Sequence, residues 1–368
     1  MKAPIDIPDD RIQLDDLGPA TARVAGTAGA AALVVSLVLG FFDGEPFIRG
    51  YLVNYAFFVS LALGGLFFVL LQHATRAGWS VVVRRLAESV STTFPLLAAL
   101  SLPIIVPMLL DLDAIHKVYP WTDNEHVTHD DILRGKQAYL NGPFFLARLL
   151  AYFALWIVVA NYFYKHSVEQ DRTGDPNLTS QMQTRSAPAV ILYALATTFF
   201  AFDLLMTLDP HWFSTIFGVY YFTGAAVGFF ALLVIMMYLL QRAGRLAQSI
   251  SIDHYHDVGK LVFAFVVFWA YIAFCQYMLI WYGNIPEETG WYVVRQQQPW
   301  LTVSLILLFG HFIIPFAALM SRIPKRQKGL LALAATWVLV MHWFDVFYLV
   351  MPRMSPGQQN VASLGTLD

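Results

Sequence analysis

This sequence has almost no cysteine and few charged residues. There is one cysteine, Cys275, among 368 residues, so the chain cannot form an intramolecular disulfide or supply the four thiolates of an iron–sulfur cluster. Charged residues make up 13% of the sequence and the formal net charge is −2, which gives no support for nucleic acid as a partner. No haem motif, Walker loop or Rossmann glycine pattern is present. The common cofactor-binding and nucleotide-binding classes are therefore not indicated.

The sequence consists instead of apolar runs, each long enough to cross a bilayer. Hydrophobic residues make up 58% of the chain, and a hydrocarbon core of roughly 30 Å needs about 20 apolar residues per helix. Because backbone amides in lipid must bond within their own helix, the runs predict an all-α integral membrane protein. Pro95, Pro103 and Pro107 are expected to kink the third span. The nine predicted spans lie at about 24–42, 50–72, 79–110, 143–165, 187–207, 213–240, 258–282, 299–320 and 329–351.

These spans divide the chain into three regions. Residues 1–22 are polar and acidic, lack the basic and apolar stretches of a cleavable signal, and are expected to form a cytoplasmic tail. Residues 23–352 form the predicted transmembrane domain. Residues 353–368 form a polar C-terminal tail.

The distribution of Lys and Arg predicts the orientation of the spans. With the N-terminus in the cytoplasm, the cytoplasmic segments carry 16 of these residues and the opposite side carries 7. The loop 321–329 (SRIPKRQKG) contributes most to this difference. The polar segments 111–142 and 282–292 then lie outside. The sequence Asp209-Pro210-His211-Trp212 is expected to form a tight outer corner, with Trp212 facing the membrane interface or a partner subunit.

Five ionisable side chains lie inside the predicted spans, where insertion costs about 2.5–3.5 kcal/mol and each therefore needs a partner or a function. They are Glu88, Asp203, His311, His342 and Asp345. Glu88 is expected to pair with Arg84 or Arg85. His342 and Asp345 share one helical face and either stabilise helix packing or form a proton-carrying or quinone-facing site. Asp203 likewise either stabilises helix packing or belongs to a proton-carrying or quinone-facing site. As a third alternative, it caps the turn that leads into Asp209-Pro210. We expect Asp203, His342 and Asp345 to converge in the outer half of one bundle.

A further polar cluster, DHYHD at 253–257, lies at the inner mouth of the seventh span. It is either the entry of a proton route that reaches His311 or a solvated helix start with an acidic first turn. Tyr271, Gln276 and Tyr277 are expected to bridge part of such a route. The His-x-His spacing does not favour a helical metal site, and no residue is assigned to metal binding or catalysis. The residues assigned to a proton route or a buried polar site are Asp203, His254, His256, Asp257, His311, His342 and Asp345.

Composition and spacing alone fit a carrier, a channel or a membrane subunit of a redox complex, but several longer strings carry more information. They are AYLNGPFF (138–145), FDLLMTLDPHWFSTIFGVY (202–220), YHDVGKLVF (255–263), FWAYIAFCQ (268–276), LIWYGNIPEET (279–289), GHFIIPF (310–316) and MHWFD (341–345). In their order and combined length, over roughly residues 50–352, these strings closely resemble the F subunit of bacterial alternative complex III. That family is related to the polysulfide-reductase-type (NrfD-like) membrane anchors.

The resemblance implies two adjacent four-helix bundles with flanking helices in the bacterial inner (cytoplasmic) membrane. It also implies a cofactor-free, non-catalytic core subunit of a quinol:cytochrome c (or oxidase) oxidoreductase, structural in role, with a proton half-channel as a further role. The implied partners are a sister NrfD-like membrane subunit, an iron–sulfur subunit, c-haem subunits and a terminal oxidase, besides lipid. The complex would contain c-type haems, iron–sulfur clusters and quinol. The family usually has ten spans, so we expect either that the tenth helix is absent here or that the sequence ends before it.

Two other functions stay open at this point. The chain could itself bind quinol near Asp203, His342 and Asp345, or it could be an independent proton-coupled carrier. Such carriers commonly have repeated halves whose helices are broken at matching positions. The sequence shows no paired breaks of this kind, which argues against the carrier.

Overall fold

The computed structural model describes residues 13–352, and within that range all regular secondary structure is helical, without a β-strand. Residues 1–12 of the predicted N-terminal tail and the predicted C-terminal tail, 353–368, lie outside the described residues. The prediction of nine spans is confirmed for this range, in which nine helices are long and apolar enough to cross a membrane. Spans one to nine are Leu17–Phe42, Gly44–Ala74, Val81–Leu109, Gly142–Thr173, Pro176–Leu204, Phe217–Arg242, Ile252–Gly283, Trp300–Met320 and Lys328–Val350.

Several spans are longer than the apolar runs that predicted them. Spans four and seven have 32 residues each, about 48 Å at 1.5 Å per residue, which exceeds the hydrocarbon thickness of roughly 30 Å. Their polar ends therefore project beyond the apolar layer. Span one begins at Leu17, inside the segment that was predicted to be a soluble tail.

Span three is interrupted where the prolines were expected to act. It consists of three helices, Val81–Ser91, Phe94–Ala99 and Leu102–Leu109. Pro95 and Pro103 lie in the first turns of the second and third helices, where a missing N–H leaves no hydrogen bond unmade. The chain therefore crosses this region in short, offset helices rather than one rod.

Spans two and six form the centre of the helical assembly. A β-carbon at Gly64 of span two would lie 2.3 Å from the carbonyl oxygen of Ala225 in span six, so glycine allows the two backbones to approach closely. Span six also packs against spans five, seven and nine. Span one packs mainly along span two, and none of its most apolar 18-residue window is buried (0%). Its side chains are therefore free to contact lipid.

The polar segments gather at two opposite ends of the assembly, as the span directions predict. We call them the inner and outer ends, after the orientation expected from the charges; which side of the membrane each faces stays a prediction. At the inner end Arg326 pairs with Asp253 at 2.9 Å. At the outer end His211 lies 2.5 Å from Asp130.

The long outer segment 111–141 is more ordered than a loop. It folds into four short helical pieces, Asp113–His116, Pro120–Thr122, Asn124–His129 and Asp131–Lys136. The Tyr119 hydroxyl donates to the carbonyl of Leu204 at 2.8 Å, and Lys136 donates to the carbonyl of Pro210 at 2.6 Å. These bonds hold the segment over the outer ends of spans four to six.

The predicted tight corner between spans five and six is confirmed, because the amide of Trp212 donates to the carbonyl of Asp209 at 3.0 Å. The orientation predicted for Trp212 is wrong. Its side chain is 1% exposed, stacks on Trp291 with ring centroids 4.6 Å apart, and donates its indole N–H to the carbonyl of Glu288 at 3.0 Å. The fold itself buries the apolar indole ring and supplies an acceptor for its N–H, so Trp212 needs neither the membrane interface nor a partner subunit.

The remaining helices are short connections. A 3-10 turn, Met206–Leu208, leads into the corner, and Pro286–Arg295 connects spans seven and eight across the outer end. Arg322–Arg326 connects spans eight and nine at the inner end.

Candidate functional site

Asp345 is a buried carboxylate near the outer end of span nine, with 2% of its surface exposed. The Tyr220 hydroxyl of span six donates to its Oδ1 at 2.5 Å, and the Trp269 indole of span seven donates to its Oδ2 at 3.0 Å. No Lys, Arg or His forms an ion pair with it among residues 13–352. Its charge is therefore balanced by hydrogen bonds alone, an arrangement in which gain or loss of a proton has large electrostatic consequences.

His342 lies one helical turn before Asp345 on the same face of span nine. Its ring fills the space beside Gly224 and Gly228 of span six. A β-carbon at these glycines would lie 2.9 Å and 2.5 Å from the nearest ring carbons of His342. These distances are too short for any side chain, so both positions require glycine if the ring is to remain in place.

The hydrogen bonds of His342 indicate its tautomer. Ser60 donates its hydroxyl hydrogen to the carbonyl of Phe57 at 2.6 Å, so its oxygen accepts from Nε2 of His342, 2.8 Å away. In a neutral ring this leaves Nδ1 as the unprotonated nitrogen. Nδ1 is buried, has no hydrogen-bond partner among the described residues, and faces Gly224, whose β-carbon position is 3.4 Å from Asp345 Oδ2. An unoccupied proton acceptor thus lies close to the carboxylate.

His311 is fully buried in span eight and stacks on the Trp269 ring with centroids 4.0 Å apart. Its ring centroid is 6.4 Å from that of His342, and neither ring nitrogen has a partner in the described structure. His311 lies in a π-helical segment, Leu307–Ile313. Pro315 has no N–H to donate to the carbonyl four residues earlier, which is that of His311, and this favours the wider turn.

We call the group of Ser60, Tyr220, Trp269, His311, His342 and Asp345 the histidine–aspartate cluster. Its members come from spans two, six, seven, eight and nine. The sequence predicted His311, His342 and Asp345 as buried polar groups, and the structure brings these three together. It did not predict Tyr220, Trp269 or Ser60. The spacing Gly224-x-x-x-Gly228 was a usable signal of close helix packing at this place.

Asp203 does not belong to this cluster, so the expected convergence of Asp203 with His342 and Asp345 is wrong. Arg148 of span four donates to both carboxylate oxygens of Asp203, at 2.8 and 3.0 Å, and Tyr152 donates to Oδ2 at 2.8 Å. The Arg148 guanidinium also lies 3.8 Å from the ring centroid of Tyr139. A buried carboxylate is stabilised better by a bidentate arginine than by another acid, and Arg148 provides this from the neighbouring helix.

Glu88 is paired as predicted. Its carboxylate oxygens lie 3.5 Å from Arg84 and 3.0 Å from Arg85, both on the same helix of span three.

The inner cluster of span seven forms the contacts of an ordinary helix start. His254 and Ser251 form a capping box, Asp257 pairs with Lys260 at 2.7 Å, and Asp253 takes part in the inner-end ion pair described above. His256 is half-buried. The assignment of His254, His256 and Asp257 to a proton route stays a prediction.

The stretch of span seven between this cluster and His311 is apolar on its buried face. Val258, Val262 and Val266 are each 0% exposed. They separate the 253–257 cluster from Trp269 by about 20 Å of helix. Tyr271, Gln276 and Tyr277 follow Trp269 toward the outer end, so the expectation that they bridge this inner gap is wrong. In the described part of the chain the polar side chains of span seven form no continuous inner path.

A cavity of about 620 Å³ lies in the outer half of the assembly, on the other side of the cluster. We call it the outer cavity. Tyr220 and Trp269, the two residues that donate to Asp345, form part of its wall, so the carboxylate lies one side chain behind the cavity. Tyr271 and Phe274, each 60% exposed, lie at its opening toward the membrane-facing surface.

The outer rim of this cavity carries a buried cation. Arg295 is 2% exposed, lies over the Trp291 ring at 3.4 Å, and donates to the carbonyls of Trp291 and Tyr348 at 3.0 and 3.2 Å. Burial lowers the pKa of Arg295 to about 10, which leaves it charged at neutral pH. Burial also raises the pKa of Tyr292, whose hydroxyl accepts from Gln276 at 2.9 Å. The cavity thus combines aromatic walls with one cation and several hydroxyl groups.

Among residues 13–352, no group of three or more His, Cys, Asp or Glu side chains is arranged to hold a metal ion. Compared with family models and with curated proteins, the chain matches none. The family expectation therefore rests on the sequence motifs quoted above.

Proposed function

We propose that this chain is a cofactor-free membrane core subunit of a quinol-oxidising respiratory complex, and that its histidine–aspartate cluster carries protons. The observation that supports this most is the contrast between two buried carboxylates. Asp203 has a bidentate arginine and can serve as a structural anchor. Asp345 has no cationic partner among residues 13–352 and lies beside His342, whose Nδ1 has no hydrogen-bond partner in that range. Aspartate and histidine side chains inside membrane spans commonly mark proton relays.

The chemistry of quinol oxidation creates a need for such groups. Each quinol that is oxidised to quinone releases two electrons and two protons. In this proposal the electrons pass to haem and iron–sulfur centres of partner subunits, while the protons pass through carboxylates and imidazoles. Histidine and aspartate are the side chains suited to this task because they gain and lose protons readily.

The architecture and location belong to the same proposal. The spans would form two adjacent four-helix bundles in the inner membrane of a bacterium, with the N-terminus in the cytoplasm. A sister NrfD-like subunit, an iron–sulfur subunit, c-haem subunits and a terminal oxidase would be the partners. The excess of Lys and Arg in the predicted cytoplasmic segments of the sequence, 16 against 7, supports the orientation. The unburied apolar surface of span one offers room for a neighbouring membrane subunit.

Purification of the tagged chain from its native membrane in a mild detergent tests the assembly. We expect haem-bearing and iron–sulfur-bearing subunits to co-purify and the preparation to oxidise quinol. A stable, homogeneous chain that carries neither haem nor iron, from membranes that retain quinol oxidation, would argue against the proposal and favour an independent proton-coupled carrier.

Substitution within the cluster tests the proton role. In the reconstituted complex, Asp345→Asn and His311→Phe should lower proton release per quinol oxidised, whereas Asp131→Asn, an exposed outer carboxylate, should not. Unchanged turnover with unchanged proton stoichiometry in both cluster variants would leave this subunit as a structural scaffold.

The outer cavity favours a second function, in which this chain itself binds quinol. Its aromatic walls fit a planar quinone ring, and its opening toward the membrane suits a hydrophobic tail. A quinol hydroxyl there would lie near Tyr220 and Trp269, one side chain from Asp345.

Quenching of tryptophan fluorescence by decylubiquinone and by menadione tests this second function on the purified chain. Ala273→Phe would fill the cavity and should abolish saturable quenching, whereas Ala194→Phe, on the exposed face of span five, should not. Equal quenching in both variants would exclude the cavity as a quinone site.

A further inference from the structure

A second large cavity, of about 880 Å³, opens at the inner end between the ends of spans two to six. We call it the inner cleft. It lies far from the histidine–aspartate cluster and takes no part in the proposed function. Three features of its wall together indicate a ligand: an excess of arginine, buried polar atoms without partners, and an apolar floor.

Four arginines line the inner cleft: Arg76, Arg84, Arg85 and Arg245. Three carboxylates oppose them. Glu88 pairs with Arg84 and Arg85, Asp171 pairs with Arg85, and Asp15 pairs with Arg245 at 2.7 Å. Arg76 is exposed and its side chain forms no ion pair among the described residues. Asp15 is not a lining residue, so the wall itself holds four arginines against two carboxylates, Glu88 and Asp171.

The backbone at Arg76 is unusual for its residue type. Its φ is 54°, just beyond the C-terminal end of span two, in the left-handed region. Glycine is the residue that normally occupies this position after a helix, because a β-carbon disfavours it. An arginine there is unfavourable for the fold alone, which is consistent with a role for its guanidinium in binding.

Two buried side chains of the cleft wall each have one polar atom without a hydrogen-bond partner among the described residues. His73 is 2% exposed and its Nε2 has no hydrogen-bond partner in the described structure. Gln72 is 4% exposed and its Oε1 likewise has none. Buried polar atoms are nearly always paired, so these two indicate a polar group within the cleft. His73 Nε2 can donate or accept a hydrogen bond, depending on its tautomer. Gln72 Oε1 accepts, so it suits a hydroxyl or N–H donor.

The floor of the cleft is apolar and is left uncovered by the protein. Val81 and Leu239 line the cleft and are 55% and 58% exposed, and Val82, Leu86 and Leu240 lie beside them. A small soluble anion would pair with the arginines but would leave this surface bare. An acyl chain would cover it, and the location at the ends of membrane spans places it within reach of lipid.

We propose that the inner cleft binds an anionic phospholipid with a hydroxyl-bearing headgroup, of the phosphatidylglycerol class. The phosphodiester would lie against Arg76 and Arg245, and the headgroup hydroxyls would reach Gln72 and His73. An acyl chain would lie along Val81 and Leu239. Basic pockets between the ends of membrane helices are suited to such headgroups. The lipid would connect spans two, three and six at a place where their side chains leave a gap.

Native mass spectrometry of the full-length chain in detergent tests this proposal. Dioleoylphosphatidylglycerol should bind with at least about fivefold higher affinity than dioleoylphosphatidylcholine, and added salt should reduce the difference. Arg76→Gln should lower phosphatidylglycerol binding about fivefold. The double variant with Arg245→Gln should bind the two lipids equally. Lys165→Gln, an exposed cation at the same end but outside the cleft, should have no effect.

A second readout remains informative if a variant binds lipid poorly because it is unstable. Phosphatidylglycerol should raise the thermal unfolding temperature of the wild-type chain more than phosphatidylcholine does, and Arg76→Lys should retain part of this increase. Equal retention of both lipids by the wild type, or an equal loss in Lys165→Gln, would overturn the proposal. Displacement of the lipid by inorganic phosphate at equal concentration would overturn the assignment to lipid and indicate a soluble anion.

Discussion

At the scale of single residues, two aspartates of the same chemistry have opposite surroundings. Asp203 is bound by Arg148 and Tyr152, whereas within the described residues Asp345 accepts from two neutral donors, Tyr220 and Trp269. Hydropathy places both in the outer halves of their spans and cannot distinguish them. The difference arises from the side chains of the neighbouring helices: span four supplies Arg148 and Tyr152 to Asp203, whereas spans six and seven supply two aromatic donors to Asp345. We therefore expect different consequences when each loses its charge.

Asp203→Asn should destabilise the protein strongly. It leaves the Arg148 guanidinium mostly buried without its counter-ion, and breaking such a pair from one side costs about 3–5 kcal/mol. Asp345→Asn should cost less, because an amide can accept from Trp269 and pair with the Tyr220 hydroxyl. Thermal unfolding of the two variants in the same detergent measures this difference. Equal losses of stability would contradict the assignment of Asp203 as the structural carboxylate.

Gly228→Ala should displace the His342 ring. The added β-carbon would lie 2.5 Å from Cδ2, so either the ring or span six must move, and overpacking of this kind costs about 1–3 kcal/mol. The hydrogen bond between His342 and Ser60 should be lost as well. Gly29→Ala in span one is the matched control, since, apart from its chain neighbours and the backbone of its own helix, no described atom lies within 4 Å of the new methyl group. Thermal unfolding should show a loss for the first variant and none for the second.

At the scale of secondary-structure elements, proline explains both departures from regular helix. In span three the prolines start new short helices, and in span eight Pro315 follows the π-helical segment that carries His311. The sequence predicted kinks in the first case. In the second it showed only that a histidine precedes a proline by four residues. That spacing removes the α-helical bond to the histidine's own carbonyl.

Pro315→Ala should convert the π-helical segment 307–313 toward regular α-helix. The restored N–H can donate to the carbonyl of His311, which would shift the register and turn the imidazole away from Trp269. Hydrogen exchange measured by mass spectrometry should show slower exchange in span eight. Pro103→Ala is the control, because at the first turn of a helix the added N–H has no intrahelical partner. Similar exchange in wild type and Pro315→Ala would contradict this explanation.

The outer segment depends on Asp130, and this dependence should vary with pH. Its Oδ1 accepts from the amides of Ile132 and Leu133 at 2.9 and 3.1 Å, and its Oδ2 bonds to His211. Partial burial alone would raise the pKa of Asp130, but the hydrogen bonds from Leu133, His211 and Ile132 outweigh it and hold the pKa below its ordinary value. Because the folded-state value is the lower one, the carboxylate stabilises the fold above the unfolded-state value, about 4.

Asp130→Ala should therefore lower stability by about 0.5–2 kcal/mol at neutral pH, and this difference from wild type should disappear as the pH falls below about 4. Asp131→Ala, whose side chain is exposed, should show a smaller difference. Thermal unfolding between acidic and neutral pH measures both. A difference for Asp130→Ala that does not shrink in acid would contradict the role of its charge.

At the scale of the whole molecule, the sequence predicted the parts that depend on hydropathy and local chemistry. The nine spans, the corner at Asp209 and the pairing of Glu88 follow from apolar runs, turn residues and neighbouring charges, and the structure confirms them. The sequence did not predict which helix faces meet. Trp212 was therefore expected at an interface and lies inside instead. Likewise the donors to Asp345, Tyr220 and Trp269, come from two other spans. The hydrophobic periodicity of span nine does not indicate which spans pack against it, so these donors could not be predicted.

The orientation of the whole assembly in the membrane is the last consequence of the charge distribution. The sequence assigns 16 of the 23 Lys and Arg residues to the predicted cytoplasmic segments, and this bias predicts that the inner end faces the cytoplasm. Two exposed asparagines at opposite ends, Asn124 and Asn177, allow a matched test. The test uses a Cys275→Ala background and a maleimide that cannot cross the inner membrane. Applied to cells whose inner membrane is intact and whose outer membrane has been permeabilised, it should label Asn124→Cys. Asn177→Cys should be labelled only after the membrane is disrupted. Labelling in the reverse order would invert the topology and place the 253–257 cluster, and any proton entry there, on the outside.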